Sequence, residues 1–166
     1  MNVRKTILTR EQAEQKMHRM ALELAEKLSG DNAPLIILGI KKNGEVIATQ
    51  IAQYLKQYIP NSITLAWAQM DKSKPTQVTI SEPIDFTGKH VLITDDVTNS
   101  GRTLLYAVKP LLDSHPISIQ TLVLVERMHK QFPVKADYVG LSVATTLQEH
   151  IQVTVEAGVV MGAFME

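Results

Sequence analysis

Short, unbroken apolar runs alternate with helix-period segments along this chain, and that alternation narrows the folds open to it. Leu35-Ile36-Ile37-Leu38 and Val91-Leu92-Ile93 carry no polar interruption, as expected of strands covered on both faces. Further strand segments run from Ser62 to Trp67, Ser118 to Glu126, Asp137 to Ser142 and Ile151 to Val155, with a short one from Gln77 to Ile80. Three strand–helix steps in succession predict an α/β fold with a mainly parallel central sheet, right-handed crossovers and flanking helices. In such sheets ligands bind beyond the carboxyl ends of the strands, so the loops after Leu38, Ile93 and Val125 should line one site.

Helix signals fill the intervals. Thr9 with Gln12 three residues on reads as a capping box, opening a helix to about Leu28 whose apolar positions Ala13, Met17, Met20, Ala21, Leu24 and Leu28 recur at three and four. Gly30 closes it. Gly44 starts a second helix to about Tyr58, and a third is expected from Thr103 to Leu112. The 166 residues, 45% hydrophobic and 20% charged, suit one globular domain spanning 1–166. Formal net charge is zero, so no global field for polyanions exists, although a local basic patch for RNA stays open. Without cysteine there is no disulfide or thiol chemistry. The opening Met1-Asn2-Val3-Arg4-Lys5 lacks the apolar core of a signal peptide, and no apolar run approaches a bilayer span; a cytoplasmic protein with no membrane association is expected.

The chemistry concentrates in Ile-Thr-Asp-Asp-Val-Thr-Asn-Ser-Gly-Arg, residues 93–102. Two carboxylates, Asp95 and Asp96, are expected where the strand ends, and a hydroxyl- and amide-rich turn where the helix begins. Unpaired N–H groups and the helix dipole make such a turn an anion site, best suited to a phosphate. Gly101 permits φ > 0 and close approach of a ligand. Asp95 and Asp96 can accept hydrogen bonds from sugar hydroxyls, so the combination describes a cradle for a sugar phosphate. Capping alone needs one hydroxyl or carboxylate; this turn has Asp95, Asp96, Thr98, Asn99, Ser100 and Thr103. A second loop, Gly39-Ile40-Lys41-Lys42-Asn43-Gly44, sets two cations between glycines past a buried strand, which suits a pyrophosphate or, alternatively, a solvated basic turn.

The run Val-Leu-Ile-Thr-Asp-Asp-Val-Thr-Asn-Ser-Gly-Arg-Thr resembles the phosphoribosyl-diphosphate (PRPP) motif of the type I phosphoribosyltransferases. Ile119 to Lys130, Phe132 to Gly140, the opening Ile7-Leu8 with Glu11-Gln12-Ala13, and the loop from Gly39 to Gly44 are similar to the bifunctional pyrimidine-operon regulators with uracil phosphoribosyltransferase activity. The resemblance covers nearly the whole chain, most weakly from Ala66 to Gly88. It implies the type I phosphoribosyltransferase fold with a small hood, and transfer of phosphoribose from PRPP to a nucleobase, uracil first, giving UMP and pyrophosphate. The alternative is a nucleotide-sensing, RNA-binding regulator of pyrimidine genes with little or no transferase activity. PRPP would be bound by Asp95, Asp96, Val97, Thr98, Asn99, Ser100, Gly101, Arg102 and Thr103, and pyrophosphate by Gly39, Ile40, Lys41 and Lys42. Asp95, Asp96, Lys41 and Lys42 would be catalytic, and Arg127 and His129 would meet the base. Mg²⁺ is implied on PRPP oxygens and waters rather than directly on the protein. A homodimer or larger homo-oligomer is implied too.

Two departures from the family pattern stand out. Many purine enzymes have Asp where this chain has Asn99, and a neutral amide cannot be a general base, which disfavours hypoxanthine and guanine. The stretch from Ala66 to Gly88 is shorter than the family's charged hairpin and carries Lys72 and Lys74 but no Arg, so PRPP binding is expected to outlast efficient turnover. The His residues show no metal-ligand spacing, and Trp67 is expected to pack in the core.

Overall fold

The computed structural model describes residues 3–71 and 73–166. In chain order the elements are β1 (Lys5–Thr9), α1 (Arg10–Lys27), β2 (Leu35–Ile40), α2 (Asn43–Leu55), β3 (Ile63–Gln69), β4 (Thr79–Ile80), β5 (His90–Thr98), α3 (Arg102–Val108), β6 (Ser118–Arg127), β7 (Tyr138–Val143), β8 (Ile151–Glu156) and β9 (Val159–Met165). The central sheet has the order β4-β3-β2-β5-β6-β7, parallel except for the edge pairing of β4 with β3. All six residues of β2 are buried, which explains its unbroken apolar run.

Strand alternation divides that burial between two faces. Leu35, Ile37, Leu92, Leu122 and Leu124 pack with Ala13, Met17, Met20 and Leu24 of α1 and with Ile47, Ile51 and Leu55 of α2. Ile36, Leu38, Val91, Ile93 and Val123 pack on the other side with Leu104 and Ala107 of α3 and Leu111 just beyond it. Trp67 sits partly buried against the first cluster, as its expected packing role requires. The capping box at Thr9 is present: Gln12 N–H donates to Thr9 Oγ1 at 3.2 Å, and Thr9 N–H to Gln12 Oε1 at 2.9 Å.

Several boundaries depart from those expected. The second helix ends at Leu55, not Tyr58. The third holds α-geometry only to Val108 and tightens to a 3-10 turn over Lys109–Asp113, because Pro110 has no N–H for an α-helical bond. The motif strand does not end before the acid pair: β5 continues to Thr98, held by parallel pairing of Asp95 with Val123 and Thr98 with Glu126. Two strands escaped the sequence reading. β1 and β9 pair antiparallel, and β9 also pairs with β8, forming a separate three-stranded sheet, the hood. Leu8, Val153, Val160 and Ala163 seat it on the α1–α2 side of the core.

Candidate functional site

The carboxyl ends of β2 and β5 lie side by side, Gly39 pairing with Thr94. The loop after β2 is pressed into the neighbouring strand. A Cβ at Gly44 would stand 2.6 Å from the Thr94 carbonyl oxygen, and one at Gly39 would stand 2.8 Å from the Gly44 carbonyl oxygen. Thr94 Oγ1 donates to that same Gly44 carbonyl at 2.9 Å. The two glycines therefore let the loop from Gly39 to Gly44 close against the strand that carries the acid pair. Lys41 and Lys42, joined by a cis peptide, are exposed on this loop. Lys41 N–H donates to the Ala68 carbonyl at 2.9 Å, and its ammonium lies 3.8 Å from Glu45 Oε1.

Because β5 continues through the motif, strand alternation separates the two acids. Asp95 is buried and opens into a hollow of about 210 Å³ lined also by Val97, Thr98, Asn99, Ser100, Gly101, Arg102 and Thr103. Asp96 is not in that lining. Its Oδ2 accepts from Asn43 Nδ2 at 2.9 Å and its Oδ1 from Val97 N–H at 2.7 Å. Asn43 Nδ2 also reaches the Val153 carbonyl of β8, at 3.1 Å. One amide thus joins the lysine loop, the acid pair and the hood. Asn43 was not among the residues singled out beforehand; its place at a helix start beside two lysines was the available signal.

Gly101 takes φ 88° as the turn enters α3, and a Cβ there would meet the Val134 and Phe132 carbonyls at 3.3 and 3.4 Å. Those residues belong to the loop after β6, which fastens to the turn where Gln131 and Phe132 N–H both donate to the Ser100 carbonyl, at 3.0 and 3.1 Å. That loop frames a second hollow of about 210 Å³, sharing Asn99 and Ser100 with the first and adding Arg127, His129, Lys130, Gln131, Thr145, Thr146 and Leu147. His129 is exposed there, and Leu147 is 96% exposed. Lys130 donates to the Arg127 carbonyl at 2.9 Å and lies 3.5 Å from Glu126 Oε1; burial pushes its ammonium below the ordinary value, against the opposing pull of Glu126. The sequence names Lys130 only with Arg127 as a basic residue near this loop that could meet RNA; the fold places it in the second hollow, beside Arg127 and His129.

The sequence-predicted residues therefore fall into three neighbouring groups. Asp95 and Val97 through Thr103 share one hollow, Arg127 and His129 the next; Asp96 turns to Asn43, and Lys41 and Lys42 stand exposed on the loop that precedes Asn43. Lys72 lies outside the described residues. Lys74 sits in the short hairpin closed by β3 and β4, where its N–H donates to the Asp71 carbonyl at 3.0 Å. Among the described residues, no group of three or more His, Asp or Glu side chains is arranged to hold a metal ion, and no helix is long and apolar enough to cross a membrane.

Residues 3–157 match the family model for the phosphoribosyl transferase domain. The chain belongs to that family. Its members among the similar sequences include the bifunctional protein PyrR of Bacillus subtilis, 32% identical over 168 residues with 94% of this chain and 92% of the relative covered. PyrR of Corynebacterium diphtheriae is 36% identical over 155 residues, covering 83% and 80%. Solved phosphoribosyltransferases share the fold. The hypoxanthine phosphoribosyltransferase of Trypanosoma cruzi superposes with TM-score 0.75 at 20% identity, covering 84% of this chain and 81% of that one. A hypoxanthine-guanine phosphoribosyltransferase of Bacillus anthracis gives TM-score 0.75 at 19% identity over 96% of both. At such identities the likeness is one of fold.

Proposed function

We propose that this phosphoribosyltransferase moves the phosphoribosyl group of PRPP to uracil, giving UMP and pyrophosphate. The observation that carries the reading is the pair of contiguous hollows sharing Asn99 and Ser100, one lined by the acid and hydroxyl turn and the other by Arg127 and His129. The 5′-phosphate would lie on Thr98 through Thr103, and the base in the neighbouring hollow. Asp95 faces the phosphate hollow and would take a ribose hydroxyl. Asp96, oriented by Asn43, would take another hydroxyl or a water of the PRPP-bound metal. Lys41 and Lys42 would meet the departing pyrophosphate from the glycine-bounded loop. Mg²⁺ bound to PRPP would neutralise charge on the diphosphate oxygens; with the two acids turned apart and no cluster of three His, Asp or Glu side chains among the described residues, the site suits an ion carried on PRPP oxygens and waters rather than a caged one. Asn99 in place of a carboxylate supports an oxo-pyrimidine over a purine, since an amide cannot accept a ring proton. Catalysis then consists of positioning and charge stabilisation, with no protein nucleophile.

The alternative, an RNA-binding regulator with little transfer activity, needs a free basic face. On α1 the cations are largely engaged. Arg10 pairs with Glu14 at 3.2 Å, Arg19 pairs with Glu23, and Lys27 stands 4.9 Å over the Tyr138 ring. These pairings favour the enzyme. The deciding experiment is a transfer assay with PRPP, Mg²⁺ and a panel of nucleobases. UMP should form fastest; faster turnover of hypoxanthine or guanine overturns the uracil assignment. No turnover, together with RNA binding that falls steeply with salt, selects the regulator.

A further inference from the structure

Arg127, the last residue of β6, spreads its guanidinium across both walls of the second hollow. Nη1 donates to Asn99 Oδ1 at 3.2 Å, Nε to Thr145 Oγ1 at 2.7 Å and Nη2 to the Thr146 carbonyl at 3.0 Å. Asn99 belongs to the turn after β5, and Thr145 and Thr146 to the loop after β7. Each wall is also tied from behind. Lys130 Nζ lies 3.4 Å from the Asn99 carbonyl, and Thr146 N–H donates to Glu149 Oε2 at 2.7 Å. That N–H holds the Glu149 carboxyl below the usual carboxylate range.

A guanidinium has no acceptor, so only the oxygen of the Asn99 amide can face it. With Oδ1 turned to the guanidinium, Nδ2, a donor, is the amide atom that no protein group engages among the described residues. Asn99 is exposed and lines both hollows. A donor matches a carbonyl oxygen of the base and mismatches a ring N–H or an exocyclic amine. We propose that Arg127 is a positioning residue that fixes the Asn99 amide and the loop from Thr145 to Leu147, and that Asn99 Nδ2 is the specificity-determining donor to an oxo group of the base. This rests on the assignment of the second hollow to the base. It goes further by naming the atom that reads the base, and by making Arg127 act through another residue. Three acceptors met by one rigid fork is a task Arg performs and Lys cannot.

The test compares UMP, which carries the oxo base, with ribose 5-phosphate, which lacks it, by calorimetry on the full chain. Asn99→Asp keeps the shape and the Arg127 contact but removes the donor. The charge it adds weakens both ligands, so the ratio of their affinities is the readout. UMP should lose about tenfold relative to ribose 5-phosphate, the size of one hydrogen bond to a desolvated carbonyl. Arg127→Gln should reproduce that loss, and Arg127→Lys should recover only part of it; a purely structural Arg127 would lower both affinities together. In the transfer assay, the unmodified chain should prefer uracil to 4-thiouracil, whose sulfur is the weaker acceptor, and Asn99→Asp should erase that preference. An unchanged affinity ratio in folded Asn99→Asp overturns the inference, whether or not uracil is turned over. A tenfold change in the ratio, in a chain that transfers to no base, supports the inference and overturns the transferase assignment alone. An unmodified chain that binds UMP no better than ribose 5-phosphate overturns both.

Discussion

Replacing Gly44 by Ala tests whether the close approach of the lysine loop to β5 holds the site together. The added methyl would lie 2.6 Å from the Thr94 carbonyl oxygen and 3.3 Å from the Asp95 Cα, both backbone atoms that cannot swing aside. Overpacking of this kind costs about 2 kcal/mol. Displacing the loop also stretches the bond from Thr94 Oγ1 to the Gly44 carbonyl, worth about 1 kcal/mol. Against these, Gly44 is the second residue of α2, where Ala is favoured by at most about 1 kcal/mol, the value of a helix interior. The sum is a destabilisation of about 2 kcal/mol, which lowers the melting temperature of a chain this size by about 4–8 °C. The functional loss should exceed what stability predicts. Relief of the contact moves Lys41 and Lys42 away from the acid pair by somewhat less than an ångström, and geometry at that scale governs positioning. Thermal unfolding followed by circular dichroism, with PRPP titrated by calorimetry below the transition, reads both quantities. A Gly44→Ala chain with unchanged melting temperature and unchanged PRPP affinity would refute the idea that this contact sets the loop.

Changing Asp95 and Asp96 together to Asn should weaken PRPP binding at least tenfold, about 1.4 kcal/mol, in a folded chain; unaltered calorimetric affinity would remove the acid pair from the site. Acid should loosen the contact between the loop before β2 and the start of β5, where Asp31 meets His90 at 2.7 Å. The Asp31 carboxyl is held below its usual range by the Ala33 N–H first and by His90 second. A depressed folded value contributes stability at neutral pH that is lost as pH falls below about 4, so Asp31→Asn should flatten that part of a urea-midpoint profile; an identical acid limb in the variant would exclude Asp31 as a source. The hairpin carrying Lys74 is short and its tip docks where Lys109 Nζ reaches the Thr76 carbonyl at 3.3 Å. Lys74→Ala should therefore change kcat and PRPP affinity by less than about twofold, and a collapse of kcat alone would identify a working lid.

The sequence exposed those parts of the fold whose causes are local. The capping box fixed the start of α1, and the unbroken runs of β2, β5 and β6 revealed themselves because both faces are covered. Elements made by distant pairing stayed hidden. β1 shows mostly exposed residues and earns its strand geometry only from β9, with Lys5 opposite Met165. β9 contains Gly162 at φ 149°, where a Cβ would meet the Leu8 carbonyl at 2.6 Å, so its own pattern reads poorly. At the site, the motif named the hollow, yet its two acids looked equivalent. Only the continuation of β5 to Thr98 shows that Asp95 faces the hollow while Asp96 turns to Asn43. Thr145 and Thr146, which brace Arg127 from eighteen and nineteen positions away, carried no motif at all.

The antiparallel partnership of β1 and β9 sets an order of events during synthesis. The central sheet draws on residues 35–143 and is available for assembly before the last strand emerges, whereas β1 must wait for a partner more than 150 positions downstream. Non-local pairings of this span close late, because the entropy of the intervening chain is lost before the contact compensates it. Asn43 reaches Val153 of the same late sheet, so the acid pair is fully braced only at that final step. A nascent chain stalled before β9 would therefore leave β8 with neither edge paired while the parallel core is already in place, and that is the stage at which strand-to-strand association between chains competes with completion.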